Sequence, residues 1–440
     1  MDRSDSRSLA REVLKISWPM IISELGDSLY SIADTYFVSK LGEVALAAVA
    51  LSSYIAWLFF VVIALTSVGN LIYVSQSYGA KELDRAKNSI GVSIVIGLAI
   101  SLISALTAFT ISRDILSLFT SDRSVVEVGS KYFRVRILGL PILNIAMVMD
   151  SSLRAIGATR YSMIAILSSA LLNIVLDPIL IFGLFGLPRL DVVGAALATV
   201  LSIVYMIPLE IVFLRKCSLL PSIHQLYIAK TVLKLGAPAA AERFVFAIGN
   251  SLYITAIARC GRIALAAHQV GIRIESFIYL PGFAFSIASA SLVGQRIGAK
   301  NIEEAKRIGF EAAKLCVLFM GILGLIVAIA SKIIVSPFSP SRDVAELASI
   351  YLILAGLSEP GLALALTLSG GIRGGGNTLV PMIINIVGLY LFRVLPANIL
   401  VNIIGVIGAW LAMFIDVYVR GFIMFFIYSK FFHKLIRRVI

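Results

Sequence analysis

No glycine–lysine pair occurs anywhere in this sequence, and a Walker A phosphate loop cannot be written without one. H-E-x-x-H and G-x-S-x-G are missing too, which removes the common zinc-protease and serine-hydrolase sites. Cysteine is down to three residues, Cys217, Cys260 and Cys316, spaced too widely for a disulfide framework or a metal cluster. Charged residues make up only 14% of the chain, well below a soluble domain. Acidic residues are the scarcer sign, 25 against 38 Lys and Arg. In a soluble protein that excess would suggest nucleic acid. Here the positive residues sit in short loops between apolar runs, so they point to topology and anionic lipid, with no nucleic acid as partner. The first sixteen residues, MDRSDSRSLAREVLKI, lack the tripartite pattern of a cleaved signal, so the first helix is expected to remain.

What is there is apolar. Hydrophobic residues are 59% of the sequence and mean hydropathy is +0.96. Runs long enough to cross a bilayer, about 20 residues each, recur from end to end. They are continuous, where a barrel would show weak alternation. The fold class is therefore all-α integral membrane. Twelve transmembrane helices are expected near 14–38, 45–75, 90–112, 128–152, 161–183, 192–213, 232–258, 263–293, 308–332, 345–371, 379–400 and 404–429. The polar stretch 214–231, with Pro221, reads as a cytoplasmic linker between an N-terminal six-helix lobe, 1–213, and a C-terminal one, 232–440.

The two lobes repeat. QSYGAKELDRAK begins at Gln76 and QRIGAKNIEEAK at Gln295, an offset of 219 residues. The same offset carries Pro19 onto Pro238, ALAA at 45–48 onto ALAA at 264–267, and Arg154 and Gly157 onto Arg373 and Gly376. Six helices per lobe is even, so both enter from one side as a parallel, pseudo-symmetric repeat. Lys and Arg gather in the loops around 81–87, 154–160, 215–234, 296–307 and 430–438, which predicts both termini in the cytoplasm of a multi-pass protein of the cell membrane.

Within this apolar chain a few acids are out of place. An ionisable residue at mid-membrane costs about 2.5–3.5 kcal/mol on insertion scales, so those present tend to face a partner or a water-filled cavity. The run LLNIVLDPILIFG, 171–183, carries Asp177 near its middle with Asn173 one turn earlier on the same face. Pro178 follows and would bend the helix or free a carbonyl. Helix one carries Glu24, Asp27, Tyr30 and Asp34; the last three share a face by their spacing of three, four and seven. Asp150 ends helix four and Thr199 lies in helix six. Asp34, Asn173, Asp177 and the neighbouring hydroxyls make an oxygen-rich site for a hard monovalent cation such as Na⁺. Two close carboxylates sharing one proton would serve equally. Glu24, Asp27 and Asp150 have a plainer alternative, since acids near helix ends often just reach interfacial water. The repeat acts as a control: Asp34 maps onto Tyr253, and Asp177 onto Pro396. A twofold architecture does not need these acids, so they are expected to have a job in the first lobe.

The second lobe offers Glu242, Glu275, Glu359 and Asp416, with Arg243 beside Glu242 and Arg273 two residues before Glu275 as local pairing options. His268, on an apolar stretch, reads as a packing residue. Glycines 374–376 have no strand before them and read as an inter-helix turn. These residues alone support a secondary transporter with a cavity between two six-helix lobes, and no enzyme. Two rivals are a lipid or lipid-linked oligosaccharide flippase and an integral-membrane lipid-modifying enzyme such as a prenyltransferase. The enzyme would need clustered aspartates for Mg²⁺ on a cytoplasmic loop, where only KELDRAK and KNIEEAK stand.

At SLYSIADTYFVSKLG (28–42), NIVLDPILIFG (173–183), ALAAHQVGIRIES (264–276) and LPGFAFSIASASLVGQRIGA (280–299) the chain resembles the multidrug and toxic-compound extrusion (MATE) transporters of the flippase-like MOP superfamily, over nearly its whole length. The resemblance implies an efflux antiporter without cofactors, exporting small organic, often cationic compounds in exchange for Na⁺ or H⁺, and a monomer surrounded by membrane lipid is expected. It further implies a coupling site at Asp34, Asn173, Asp177 and Thr199, a substrate cavity near Asp27, Tyr30 and Asp150, and helix bending at Pro19. Glu242 falls where many bacterial members carry a helix-seven glutamate, which leaves a second-lobe site with Glu242 and Glu275 open.

Overall fold

A computed structural model describes residues 3–440, without the side chains of residues 3–6 and Phe60; Met1 and Asp2 lie outside the described residues. Every regular element described is helical. With no water in hydrocarbon to satisfy backbone N–H and C=O groups, a helix that pairs them internally is what such apolar runs must form. The first half holds α1 (Arg3–Ser39), α2 (Glu43–Leu58) continuing into α3 (Phe60–Gly79), and α4 (Leu83–Thr110) with the short α5 (Ser112–Ser117). It goes on with α6 (Arg123–Leu138) continuing into α7 (Leu140–Ala155), then α8 (Thr159–Phe182) and α9 (Asp191–Lys216). The second half holds α10 (Ile228–Ala258), α11 (Arg262–Gly298), α12 (Ile302–Ile329), the short α13 (Ser331–Val335) and α14 (Arg342–Gly374). It ends with α15 (Leu379–Gly388), a π-helical stretch Leu389–Val394, α16 (Leu395–Ile404) and α17 (Val406–Leu435). Among the described residues, counting each continued pair as one span gives twelve. Nine of these, with Leu379–Ile404 taken as one, are long and apolar enough to cross, and the pair α6–α7, bent by 45°, makes ten. The other two are α1 and α10, each carrying charged residues and an internal proline, Pro19 and Pro238.

All twelve expected spans are present, but their limits differ. Helix α1 begins at Arg3 instead of 14 and α12 at Ile302 instead of 308. Polar residues beyond the hydrocarbon continue a helix there, and hydropathy cannot register them. Within 214–231 only 217–227 is non-helical. That segment is tied to α4: Ser222 N–H donates to the Lys87 carbonyl (3.0 Å), and the Asn88 side chain accepts from the N–H groups of His224 and Gln225 (2.7 and 3.1 Å).

The duplication is written into the turns. Positive φ recurs at the 219-residue offset in Gly42 and Gly261 (101° and 96°), Lys81 and Lys300 (62° and 61°), and Gly157 and Gly376 (78° and 84°). The chain divides into two compact units, one of Ile22–Ala240, the other of Met1–Ile21 with Ala241–Ile440. Both crossings obey the same offset, and each follows a proline by two residues: Pro19 before Ile21, Pro238 before Ala240.

Inside the Ile22–Ala240 unit, α3 and the start of α10 approach backbone to backbone. A Cβ on Gly236 would lie 1.7 Å from the Leu65 carbonyl oxygen, and one on Gly69 2.1 Å from that of Val232. Small residues permit such contacts where no hydrophobic effect drives helices together. Gly236→Val should cost about 1–3 kcal/mol or more, since backbone and not a flexible side chain must yield. A lower melting temperature and loss of the monodisperse peak in detergent would show it; an unchanged melt would mean the helices are apart here.

Candidate functional site

The acids anticipated in the first lobe are brought together in the Ile22–Ala240 unit. Asn173 and Asp177 lie one turn apart on α8, facing α9, and are 1% and 0% exposed. Oriented so that both ends of its amide are satisfied, Asn173 donates to Asp177 Oδ2 (3.2 Å) and accepts from the Thr199 N–H (3.1 Å). Thr199 Oγ1 donates to the Ala195 carbonyl within α9 (3.1 Å), and Tyr30 of α1 shares a hydrogen bond with the same threonine. One turn along α1, Asp34 is within electrostatic reach of Asp177. Pro178 withholds an N–H from the Ile174 carbonyl, leaving one more oxygen on α8 without its helical donor.

Two oxygens here are buried with no hydrogen-bond donor among the described residues: Asp34 Oδ1 and Asp177 Oδ1. A buried carboxylate oxygen without a partner is costly, and a small cation or a proton relieves it. The site thus has acceptors in surplus, two carboxyls, an amide and a hydroxyl, drawn from α1, α8 and α9.

One member was not foreseen. Arg136, at the end of α6, reaches Asp34 and Tyr30 electrostatically and hydrogen-bonds Tyr132, which in turn touches Ser53 of α2 (3.2 Å between hydroxyls). The sequence held a hint, an arginine within an apolar run at a depth comparable to Asp34. A fixed guanidinium within electrostatic reach of Asp34 competes with any incoming cation for that negative charge. Arg136→Gln should therefore lower, several-fold, the cation concentration for half-maximal efflux. A rise, or no change, would reduce Arg136 to a packing role.

Asp150 and Asp27 belong elsewhere. Asp150 is 3% exposed, bound to Arg154 Nε (2.5 Å) and accepting from the Ser162 hydroxyl; Arg154 also approaches Glu24 at 3.8 Å. Asp27 is exposed, with Arg154, Glu24 and Asp150 in electrostatic reach. Pro19 lies inside α1, in the Met1–Ile21 part of the other unit.

In that other unit, Glu242 and Glu275 have separate partners. Glu242 accepts from Arg373 Nη2 with both oxygens (2.8 and 2.7 Å) and from Asn385 (2.7 Å). Glu275 accepts from the Tyr351 hydroxyl. These partners stand far along the chain, on α14 and α15 for Glu242 and on α14 for Glu275. Asp416 is clasped by Arg393 (2.9 Å) and Arg420 (2.7 and 2.6 Å), the former carried by the π-helical stretch. His268 is wedged edge-on between Tyr253 and Tyr351, as a packing residue would be. Among the described residues no three His, Cys, Asp or Glu side chains converge to hold a metal ion, and the three cysteines are unpaired.

Known proteins match this chain both in sequence and in structure. The sequence profile of the MatE family matches residues 19–179 and again 238–399, two stretches that begin 219 residues apart. A protein of Thermotoga maritima called probable multidrug resistance protein NorM is 29% identical over 98% of this chain and 95% of its own length. The multidrug export protein MepA of Staphylococcus aureus is 28% identical over 78% of this chain and 76% of its own. Among solved structures, the Vibrio cholerae MATE transporter VcmN in its bent form superposes with a TM-score of 0.91 at 20% identity, covering 98% of this chain and 99% of that one.

Proposed function

The chain belongs to the MatE family of multi-pass membrane transporters, and on that premise we propose that it is a secondary antiporter exporting small organic cations in exchange for Na⁺ or H⁺. The family's members are transporters and not enzymes. The observation that carries the reading is the pair of donor-less oxygens on Asp34 and Asp177, beside Asn173 and Thr199. The names of two relatives, a probable multidrug resistance protein in Thermotoga and a multidrug export protein in Staphylococcus, support the choice of cargo.

The coupling cation binds Asp34 and Asp177, joining α1 to α8, and Pro19 lets α1 change shape with occupancy. To drive export the cation must bind one conformation more tightly than the other; equal affinity would shift nothing. Cargo leaves when the cation is bound and is recruited when it is not. Asp27, exposed, and Tyr30, on the same face of α1, supply the negative and aromatic surface that favours cationic cargo. The protein works as a monomer in the cell membrane with both termini cytoplasmic, following the distribution of Lys and Arg.

Purified protein in lipid vesicles loaded with a fluorescent cationic dye tests this. An imposed Na⁺ gradient or pH gradient should accelerate dye movement against its own gradient, and the one that does identifies the ion. Dye flux indifferent to both gradients would overturn antiport.

A further inference from the structure

Four carboxyl groups of the Ile22–Ala240 unit converge on one guanidinium. Glu24, Asp27, Asp150 and Glu210 all act electrostatically on Arg154. Arg154 is already committed: Asp150 holds its Nε at 2.5 Å and Glu24 lies 3.8 Å from Nη1. Glu210, on α9, gets no share in contact. It is 0% exposed, and neither of its carboxyl oxygens has a hydrogen-bond partner among the described residues. The charged groups within its reach are Asp150, which repels a carboxylate, and Arg154.

The other elements packed on α9 bring no rescue. Helix α8 presents Ser162, turned to Asp150, and Tyr161, stacked on Phe213 with Lys216 over both rings. Helix α6 meets the earlier part of α9, where Arg136 stands near Val200. Helix α1 contributes Glu24 and Asp27, more negative charge. An ionised, unpartnered carboxylate in such a place costs several kcal/mol, and a protonated one much less.

We propose that Glu210 binds a proton and, with Asp150 and Arg154, forms a second protonatable centre in this unit, separate from the Asp34–Asp177 site. The event is simple: the carboxylate takes one proton from water and returns it, with no other bond made or broken. Separation follows from the helix itself. Glu210 comes eleven positions after Thr199 on α9, about 16 Å at 1.5 Å per residue. Water is near, since Glu210 is six residues, about 9 Å, from the end of α9, and Asp27 is exposed.

The duplicated half supplies a control. At the 219-residue offset, Arg373 replaces Arg154, while the positions of Glu24, Asp27, Asp150 and Glu210 hold Arg243, Phe246, Ser369 and Ser429. There the arginine is matched by a single acid, Glu242. The surplus acids are therefore no requirement of the fold, and the ligand they suit is a proton: no metal-holding triad is formed among the described residues.

The inference stands apart from the coupling reading, because Asp34→Asn leaves Glu210 untouched. Infrared spectra of the full chain in lipid nanodiscs, taken in a pH series, test it. Wild type should show the carbonyl stretch of a protonated carboxylic acid that disappears on alkalinisation, and Glu210→Gln should remove one component of it. Glu210→Asp, which keeps the acid one methylene shorter, should shift that component instead. A spectrum unchanged in Glu210→Gln overturns the proposal. If that variant does not accumulate, an unshifted band in Glu210→Asp does so. Exchanging K⁺ for Na⁺ at constant pH should leave the component in place; its loss would make the centre a metal-cation site and refute the proton assignment.

Discussion

Replacing Asp34 by Asn should bring gradient-driven dye efflux down to the passive leak while the protein still inserts and elutes as a single species. The substitution keeps size and shape, so the packing of α1 against its neighbours survives. What goes is the negative charge that faces Arg136, together with the donor-less carboxylate oxygen that a cation would satisfy. Coupling between two sites is typically worth about 1–3 kcal/mol, or about 5–150-fold in affinity. In the variant the acceleration produced by an imposed cation gradient should fall from that range to none. Asp177→Asn should behave alike, and combining the two should add nothing, since either removes the same coupling. Efflux at the wild-type rate in Asp34→Asn would refute the assignment.

Asp416→Ala should be the most damaging single change to stability in the second unit. Its carboxylate is wholly buried and takes three contacts of 2.6–2.9 Å from Arg393 and Arg420, themselves buried or nearly so. Removing it leaves the Arg420 guanidinium without its ion-pair partner, and leaves Arg393 only the more distant pull of Glu275. Breaking a buried pair from one side costs about 3–5 kcal/mol. Thermal unfolding in detergent should shift strongly downward, with most of the material lost to aggregation. The companion Arg393→Met, Asp416→Leu, Arg420→Met should recover much of the loss, because an apolar trio needs no charge balance. An Asp416→Ala protein that melts like wild type would show that water reaches the cluster.

How far the sequence led can be judged residue by residue. Asn173 and Asp177 were legible, because four residues on a helix fix a common face and an apolar run makes an aspartate conspicuous. Tyr30 and Asp34 followed by the same spacing. Asp150 carried the same conspicuousness and went to a different place, since nothing in spacing says which of several facing helices a side chain will meet. Arg136 and Glu210 were passed over. Neither has an opposite charge beside it in sequence, and its meaning comes from neighbours more than a hundred residues away for Arg136 and Asp34, and sixty away for Glu210 and Asp150. Glu242 and Glu275 show the same limit, having taken Arg373 and Tyr351 as partners over the arginines beside them.

The sequence by itself determined that this chain crosses a membrane as twelve helices and that its two halves are copies. Hydropathy and a constant offset are properties of the chain read in order, and backbone hydrogen bonding in hydrocarbon leaves the helix as the outcome. It also marked the acids that only one copy has. Tertiary structure alone decided their grouping: Asp34 with Asp177 and Arg136 in one place, Asp150 with Arg154 and Glu210 in another. Helix packing sets those distances, and at low dielectric a few ångströms decide whether a carboxyl has a counter-charge, a rival or neither.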